Sequence, residues 1–144
     1  MLDLSPYISL TTMIVLATVD EQGSPYTSNM YFRVDEQYNF YFSSKNFRAH
    51  SKHIEKNNSV AWSIINTEKY EKSAKDKKWL QFQGIAQMLT GKEAERVKKE
   101  LFWKTISFFD MLKTSQMLYK CTPLKVKIWD ETLYGWEGKV IDFK

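Results

Sequence analysis

Cysteine is nearly missing from this 144-residue chain, where Cys121 stands alone. One thiol can neither close an internal disulfide nor anchor a cysteine metal site, which fits a reducing compartment, so the cytoplasm is the expected location. Histidine is almost as scarce. His50 and His53 lie three apart, with no third ligand in a recognisable pattern nearby, which argues against a metal centre. A G-x-S-x-G elbow, a G-x-G-x-x-G turn and a P-loop are all absent, so no serine hydrolase, Rossmann dinucleotide site or nucleoside triphosphate site is indicated. Cys121 has neither a paired base nor a helix start beside it in sequence to activate it. No apolar run approaches the length that spans a bilayer. The opening MLDLSPYISL contains Asp3 and has no basic stretch before its apolar residues, so neither membrane insertion nor export is expected.

The chain does have apolar and aromatic side chains in plenty. At 43% hydrophobic and 15% aromatic it can bury a real core without staples, as one domain over residues 1–144. A net charge of +4 raises the question of nucleic acid, and the placement of the charges answers it. Much of the excess lies in Thr67–Lys78, where five lysines mix with three acids as in a solvated loop. No helix-turn-helix, finger or RNP pattern accompanies that run, so no nucleic-acid partner is expected.

Periodicity gives the elements. Ser5–Leu10 predicts a short helix, with Ser5 as cap and Pro6 at the first helical position. Met13–Val19 reads as a buried strand. Tyr26–Val34 alternates Tyr26, Ser28, Met30, Phe32 and Val34 against Thr27, Asn29, Tyr31 and Arg33, as in a second, antiparallel strand. A third strand begins at Phe40 and completes a meander. Ser59–Ile65 and Trp79–Leu89 form the fourth and fifth strands, and Gly84 inside the fifth signals a bulge or a close backbone approach. Thr90 to Glu93 resembles a capping box before a helix carrying Ala94, Val97 and Leu101, and a further helical stretch follows around Ile106–Leu112. Leu124–Trp129 is a sixth strand, and Thr132–Trp136 a candidate seventh. Strands joined by turns, with few helices, indicate an antiparallel barrel or sandwich.

One stretch carries a chemical signal. In Asn39–Ile54 a strand containing Phe40, Tyr41 and Phe42 leads through Ser43-Ser44-Lys45 into a helix marked by Phe47, His50, Ser51 and Ile54. Two hydroxyls at a strand end, the free N–H groups of a helix start and Arg48 in its first turn suit a phosphate. The same residues equally suit a Ser44 helix cap beside a solvated Arg48. His50 shares a face with Phe47 and Ile54, which favours a core histidine with a satisfied ring over a catalytic one. With five Trp and eight Tyr but few acid–base candidates, the chain is better equipped to hold a planar, phosphorylated cofactor than to perform acid–base chemistry alone.

The order of these features resembles the pyridoxamine 5'-phosphate oxidase-like, FMN-binding split-barrel superfamily. Val15-Leu16-Ala17-Thr18-Val19, Asp20, Gly23, Pro25-Tyr26 and Asn29-Met30-Tyr31-Phe32 match its opening. Ser43, Ser44 and Arg48, then Phe82-Gln83-Gly84, then Lys127-Ile128-Trp129-Asp130-Glu131-Thr132-Leu133 carry the likeness onward, from about Thr12 to Gly138. The resemblance implies a mainly β fold, a six-stranded antiparallel Greek-key split barrel with a few packed helices, that forms a homodimer with FMN at the interface. By the same resemblance Ser43 and Ser44 contact the flavin phosphate and Arg48 pairs with it. Backbone near Ser28, Asn29 and Met30 runs along the isoalloxazine, and Phe42, Trp79 and Gln81 flank the cofactor. The likeness stops short of vitamin B6 oxidation: Ala49 replaces the lysine that follows the family's arginine, and nothing in Ile128–Lys144 matches the C-terminal arginine and histidine that hold the substrate phosphate. Two classes stay open, an FMN-dependent oxidoreductase whose small-molecule substrate and electron donor are unnamed, and a non-enzymatic protein that stores or senses flavin, haem or a deazaflavin.

Overall fold

The computed structural model describes residues 2–8, 13–66, 78–102 and 116–144. Eight strands make one antiparallel sheet: β1 (Met13–Val19), β2 (Pro25–Tyr31), β3 (Arg33–Val34), β4 (Phe40–Lys45), β5 (Ser59–Asn66), β6 (Lys78–Leu89), β7 (Gln116–Asp130) and β8 (Lys139–Asp142). Their hydrogen-bonded order is β2-β1-β5-β6-β7-β4-β3, and β8 joins β7. Only Phe32 separates β2 from β3, so the two edges of the sheet are successive pieces of one segment and the sheet curls on itself. The alternation read over Tyr26–Val34 therefore breaks at Phe32 for a topological reason: the segment changes partner there, from β1 to β4. This replaces the expected meander, since β4 pairs with β3 and β7 and not with β1 or β2. Away from Phe32 the strands β2 and β4 diverge, and no ladder joins them.

Period-two alternation fills the barrel. Ile14 and Leu16 of β1, Trp62 and Ile64 of β5, Leu80 and Phe82 of β6, and Val126 and Ile128 of β7 all point inward and are buried. Trp62 stacks on Phe82 at 5.0 Å. A second, smaller cluster forms outside β4 and β7, where Tyr41 and Leu118 meet helix α3 (Gly91–Val97) and the π-helical turn Lys98–Phe102. Helix α2 (Ala49–Lys56) lies over the barrel mouth with His50, Ser51 and Ile54 buried.

Three expected elements change. The first helix, α1, is described over Ser5–Ile8, its expected end at Leu10 lying outside the described residues, and Asp3 rather than Ser5 serves its start, accepting from Ser5 N–H at 2.9 Å. The last strand of the barrel, β7, runs fifteen residues instead of six. Pro123 hid its first half, because a proline inside a strand usually argues against one. Here Pro123 lies opposite Gly84, where the β6–β7 register shifts, and a bulge is where a proline is tolerated. In place of a strand over Thr132–Trp136 there is a short helix, α4 (Glu131–Tyr134), whose Leu133 N–H donates to Asp130 Oδ1 at 3.3 Å; the chain returns as β8 further on. Helical turns at Ile106–Leu112 and the loop over residues 67–77 lie outside the described residues.

Asp130 is fully buried at a junction of three segments. Its Oδ2 accepts from the Tyr7 hydroxyl at 3.0 Å and pairs with Lys78 Nζ at 3.3 Å, while Oδ1 caps α4. Desolvation and the adjacent carboxylate raise the Tyr7 phenol well above its ordinary pKa, so Tyr7 stays a donor.

Gly84 provides a direct test of the bulge. A Cβ there would run into the backbone carbonyl of Thr122 and the Trp62 ring. Gly84→Ala should lower stability by about 1–3 kcal/mol, measured as the shift of a urea denaturation curve, whereas an unchanged midpoint would show that β7 yields freely at this point.

Candidate functional site

The wedge between β2 and β4 is an open cleft of about 630 Å3, lined by β2 residues 26–30, Ser44, and Phe47 to His50. Its position follows from the topology, because here the curled sheet lacks a ladder between its two end strands. Five of the nine residues predicted from the sequence meet in it: Ser28, Asn29, Met30, Ser44 and Arg48.

Arg48 does not stand in the first helical turn as the sequence suggested. It is the N-cap of α2, extended at φ −67° and ψ 152°, and no side chain caps the helix. The first helical bond runs from Lys52 N–H to Arg48 C=O, so the amides of Ala49, His50 and Ser51 precede it. Ala49 and His50 line the cleft beside the exposed Arg48. Lys45 Nζ and the Arg48 guanidinium approach the Phe47 ring at 5.6 and 6.0 Å. Arg48 and a helix start thus gather at one end, with no acidic residue in the lining, an arrangement suited to an anion.

The two serines do not form a pair. Ser43 and Ser44 belong to β4 itself, not to a turn after it, so their side chains leave opposite faces. Ser44 points inward with Phe40 and Phe42, while Ser43 lines an adjoining cleft of about 380 Å3 that shares Asn29 and Met30 with the first and adds Arg33 and Phe102. Ser44 does not cap the helix either. Its Oγ lies 2.7 Å from His50 Nε2, and Ser28 Oγ of β2 lies 3.2 Å from His50 Nδ1. A single imidazole therefore spans the split, in contact with one strand at each ring nitrogen. Burial first, then Arg48 and His53, hold the His50 pKa down to about 4, so at neutral pH the ring is uncharged, one nitrogen donating and the other accepting. His53, one turn on, pairs through Nδ1 with Thr18 of β1 at 2.9 Å and meets Tyr26 edge-on.

The remaining predicted residues lie elsewhere. Phe42 is wholly buried, stacked on Tyr119 at 5.0 Å and set edge-on to His50, so it supports the cleft from behind. Trp79 and Gln81 lie on the outer face of β6, three ladder steps from β2, roughly 14 Å at the usual strand spacing. There Trp79 stacks on Trp129 at 4.9 Å. Sequence reasoning assigned no part of the cleft to Phe47, Ala49 or the His50 bridge. The available signal was Ser28 and Ser44 on otherwise inward-facing strand positions, since buried hydroxyls require partners and His50 is a polar group on the buried face of α2.

The chain was compared with known proteins. Residues 4–130 match the family model described as pyridoxamine 5'-phosphate oxidase. No curated protein matches in sequence. Solved structures do. General Stress Protein 26 from Bacillus anthracis is 16% identical, with 97% of this chain and 95% of that one covered at a TM-score of 0.68. HutZ, the haem storage protein of Vibrio cholerae, is 22% identical, with 83% and 87% covered at 0.65. A haem binding protein from Mycobacterium smegmatis is 12% identical, with 96% of this chain but 55% of that one covered at 0.69. At these identities the likeness shows the fold. It is the split barrel expected from sequence, with eight strands instead of six. Among the described residues, no helix is long and apolar enough to cross a membrane.

The histidine bridge makes stability depend on pH in a stated direction. Because folding lowers the His50 pKa from 6.5 to about 4, the stabilisation is present in full above about pH 6.5 and is lost as pH falls toward 4, by at most about 3 kcal/mol. Denaturation midpoints of the native chain and of His50→Phe, compared at pH 7 and pH 4.5, should converge on acidification. A constant gap would separate the bridge from proton binding.

Proposed function

Given that this chain belongs to the pyridoxamine 5'-phosphate oxidase family, we propose that it is a cytoplasmic FMN-binding flavoprotein, acting as an oxidoreductase on a small molecule other than pyridoxamine phosphate. The observation that carries this reading is the split-barrel cleft, in which Arg48 and the first amides of α2 gather beside the unpaired edge of β2. A phosphate suits the charged end, and a planar ring suits the strand edge formed by Ser28, Asn29 and Met30. The residues fit FMN differently from the pattern implied by resemblance: Ser44 is engaged by His50, Ser43 lines the adjoining cleft beyond Asn29 and Met30, and the phosphate is left to Arg48 and main-chain donors. FMN supplies the hydride chemistry in such proteins, and the chain supplies position and electrostatics. Ile128–Lys144 contains no arginine or histidine for a substrate phosphate, which argues against pyridoxamine phosphate as substrate.

Trp79 and Gln81 enter this reading through a second copy of the chain. Met13, Val15, Tyr31 and Ile65 are exposed large hydrophobics on the outer sheet face, and they continue into the Trp79–Trp129 stack by cross-strand pairing. An apolar face of this kind suits a homodimer in which Trp79 and Gln81 of one copy approach the β2 edge of the other.

Haem storage is the alternative that the neighbouring folds raise. It is disfavoured by the histidines. Both ring nitrogens of His50 are engaged, and Nδ1 of His53 is already taken by Thr18. A purified protein with a flavin spectrum and no Soret band is the expected result, and a Soret band would reverse the assignment.

Titration of apoprotein tests the phosphate. FMN should bind more tightly than riboflavin, and Arg48→Ala should weaken FMN by about 1.5–3 kcal/mol, roughly ten- to a hundredfold, with little effect on riboflavin. Equal affinities for the two flavins would remove Arg48 from the site. Light scattering should report a dimer at micromolar protein, and a flavin-loaded monomer would leave Trp79 and Gln81 without a role.

A further inference from the structure

Behind α2, away from the flavin cleft, lies a second recess of about 460 Å3. Strand lengths create it. β5 begins at Ser59, opposite Ile85, so Ala86–Leu89 of β6 pairs only with β7 and its other edge runs open beneath the helix. Ala86 N–H reaches that side and donates to Asn58 C=O at 2.9 Å. Backbone groups two residues apart point the same way in a strand, so the N–H and C=O of Met88 face the recess, where no described backbone group takes them. Tyr119, only 3% exposed, lines the recess as well. Ile54 and the half-exposed Met88 supply apolar walls, and Glu55 is the only charged residue in the lining.

We propose that this recess is a second binding site, for a planar aromatic ring bearing an uncharged amide or lactam. The ring lies among Ile54, Met88 and Tyr119. The amide N–H and C=O pair with the Met88 edge, as an added strand pairs with an open sheet. The Tyr119 hydroxyl adds one hydrogen bond, and Glu55 disfavours carboxylates by like charge. The flavin cleft is a different site: Ala49 and His50 line that one, whereas Ser51, Ile54 and Glu55 line this one. The two are joined through the core, because Tyr119 stacks on Phe42 and Phe42 meets His50 edge-on.

Nicotinamide and nicotinate, which differ only in amide against carboxylate, test the proposal on the full chain by NMR titration. Nicotinamide should give saturable shifts at the amides of Ala86 and Met88, with nicotinate bound roughly tenfold more weakly or not at all. Met88→Trp, which fills the recess from an exposed position, should abolish those shifts, and Tyr119→Phe should weaken binding about three- to tenfold. Glu55→Gln should narrow the gap between the two ligands without loss of nicotinamide. Saturation with FMN should leave the nicotinamide titration unchanged. Failure of FMN to bind would overturn the flavin reading but not this one. The second site falls if nicotinamide gives no saturable shifts there, if nicotinate binds equally well, if Met88→Trp has no effect, or if FMN displaces nicotinamide.

Discussion

One imidazole holds together two strands that the backbone ladder cannot join. A sheet whose two edges are successive pieces of one segment must curl, and where β2 and β4 part company the curl leaves an opening that backbone hydrogen bonds do not close. His50, carried on a helix laid across the gap, answers both strands with side-chain bonds to Ser28 and Ser44. The width of the cleft, the placing of Arg48 at the helix cap and the partial burial of the serine hydroxyls all depend on that bridge. A neutral ring suits it, since each nitrogen can play a different role toward its serine and no uncompensated charge is buried.

The site is therefore assembled from the failure of regular structure at one place. The inner face of the sheet is closely filled by aromatics, with Phe40, Trp62 and Phe82 in mutual contact. Ligand groups can be received only where main-chain donors remain unpaired, at the start of α2 and along the free edge of β2. The same rule governs the recess behind the helix, where β6 outruns β5.

Most of the barrel was legible because buried strands declare themselves by alternation. Ile14 and Leu16, Leu80 and Phe82, and Val126 and Ile128 sit at period two and all face inward. Gly84 was read as a bulge or close approach and is both. The first half of β7 was not legible, since Pro123 looks like a strand breaker until Gly84 is placed opposite it. Within the site, Arg48 could be named from the pattern and the β2 edge only through the family resemblance, while a serine pair is only a string of letters until strand phase is known. Phase sends Ser43 outward and Ser44 inward, and the partner that takes Ser44 comes from a helix six residues on. No local rule pairs a histidine with serines on two different strands; only the curl of the sheet brings them within reach.

The position of β7 in the chain has a kinetic meaning. This strand is the hub of the sheet, pairing with β4, β6 and β8, and it follows both β4 and β6 in the chain. Until residues 116–130 leave the ribosome, β4 has only the two-residue β3 for company and β6 keeps one edge bare, while Tyr7 waits for Asp130 to dock the N-terminal turn. Bare edges on aromatic-rich strands are sites of mispairing, and contacts between residues a hundred positions apart form slowly. The nascent chain is thus exposed to mispairing from the time β4 and β6 are made until β7 follows them, and it is the arrival of a single strand that ends that exposure.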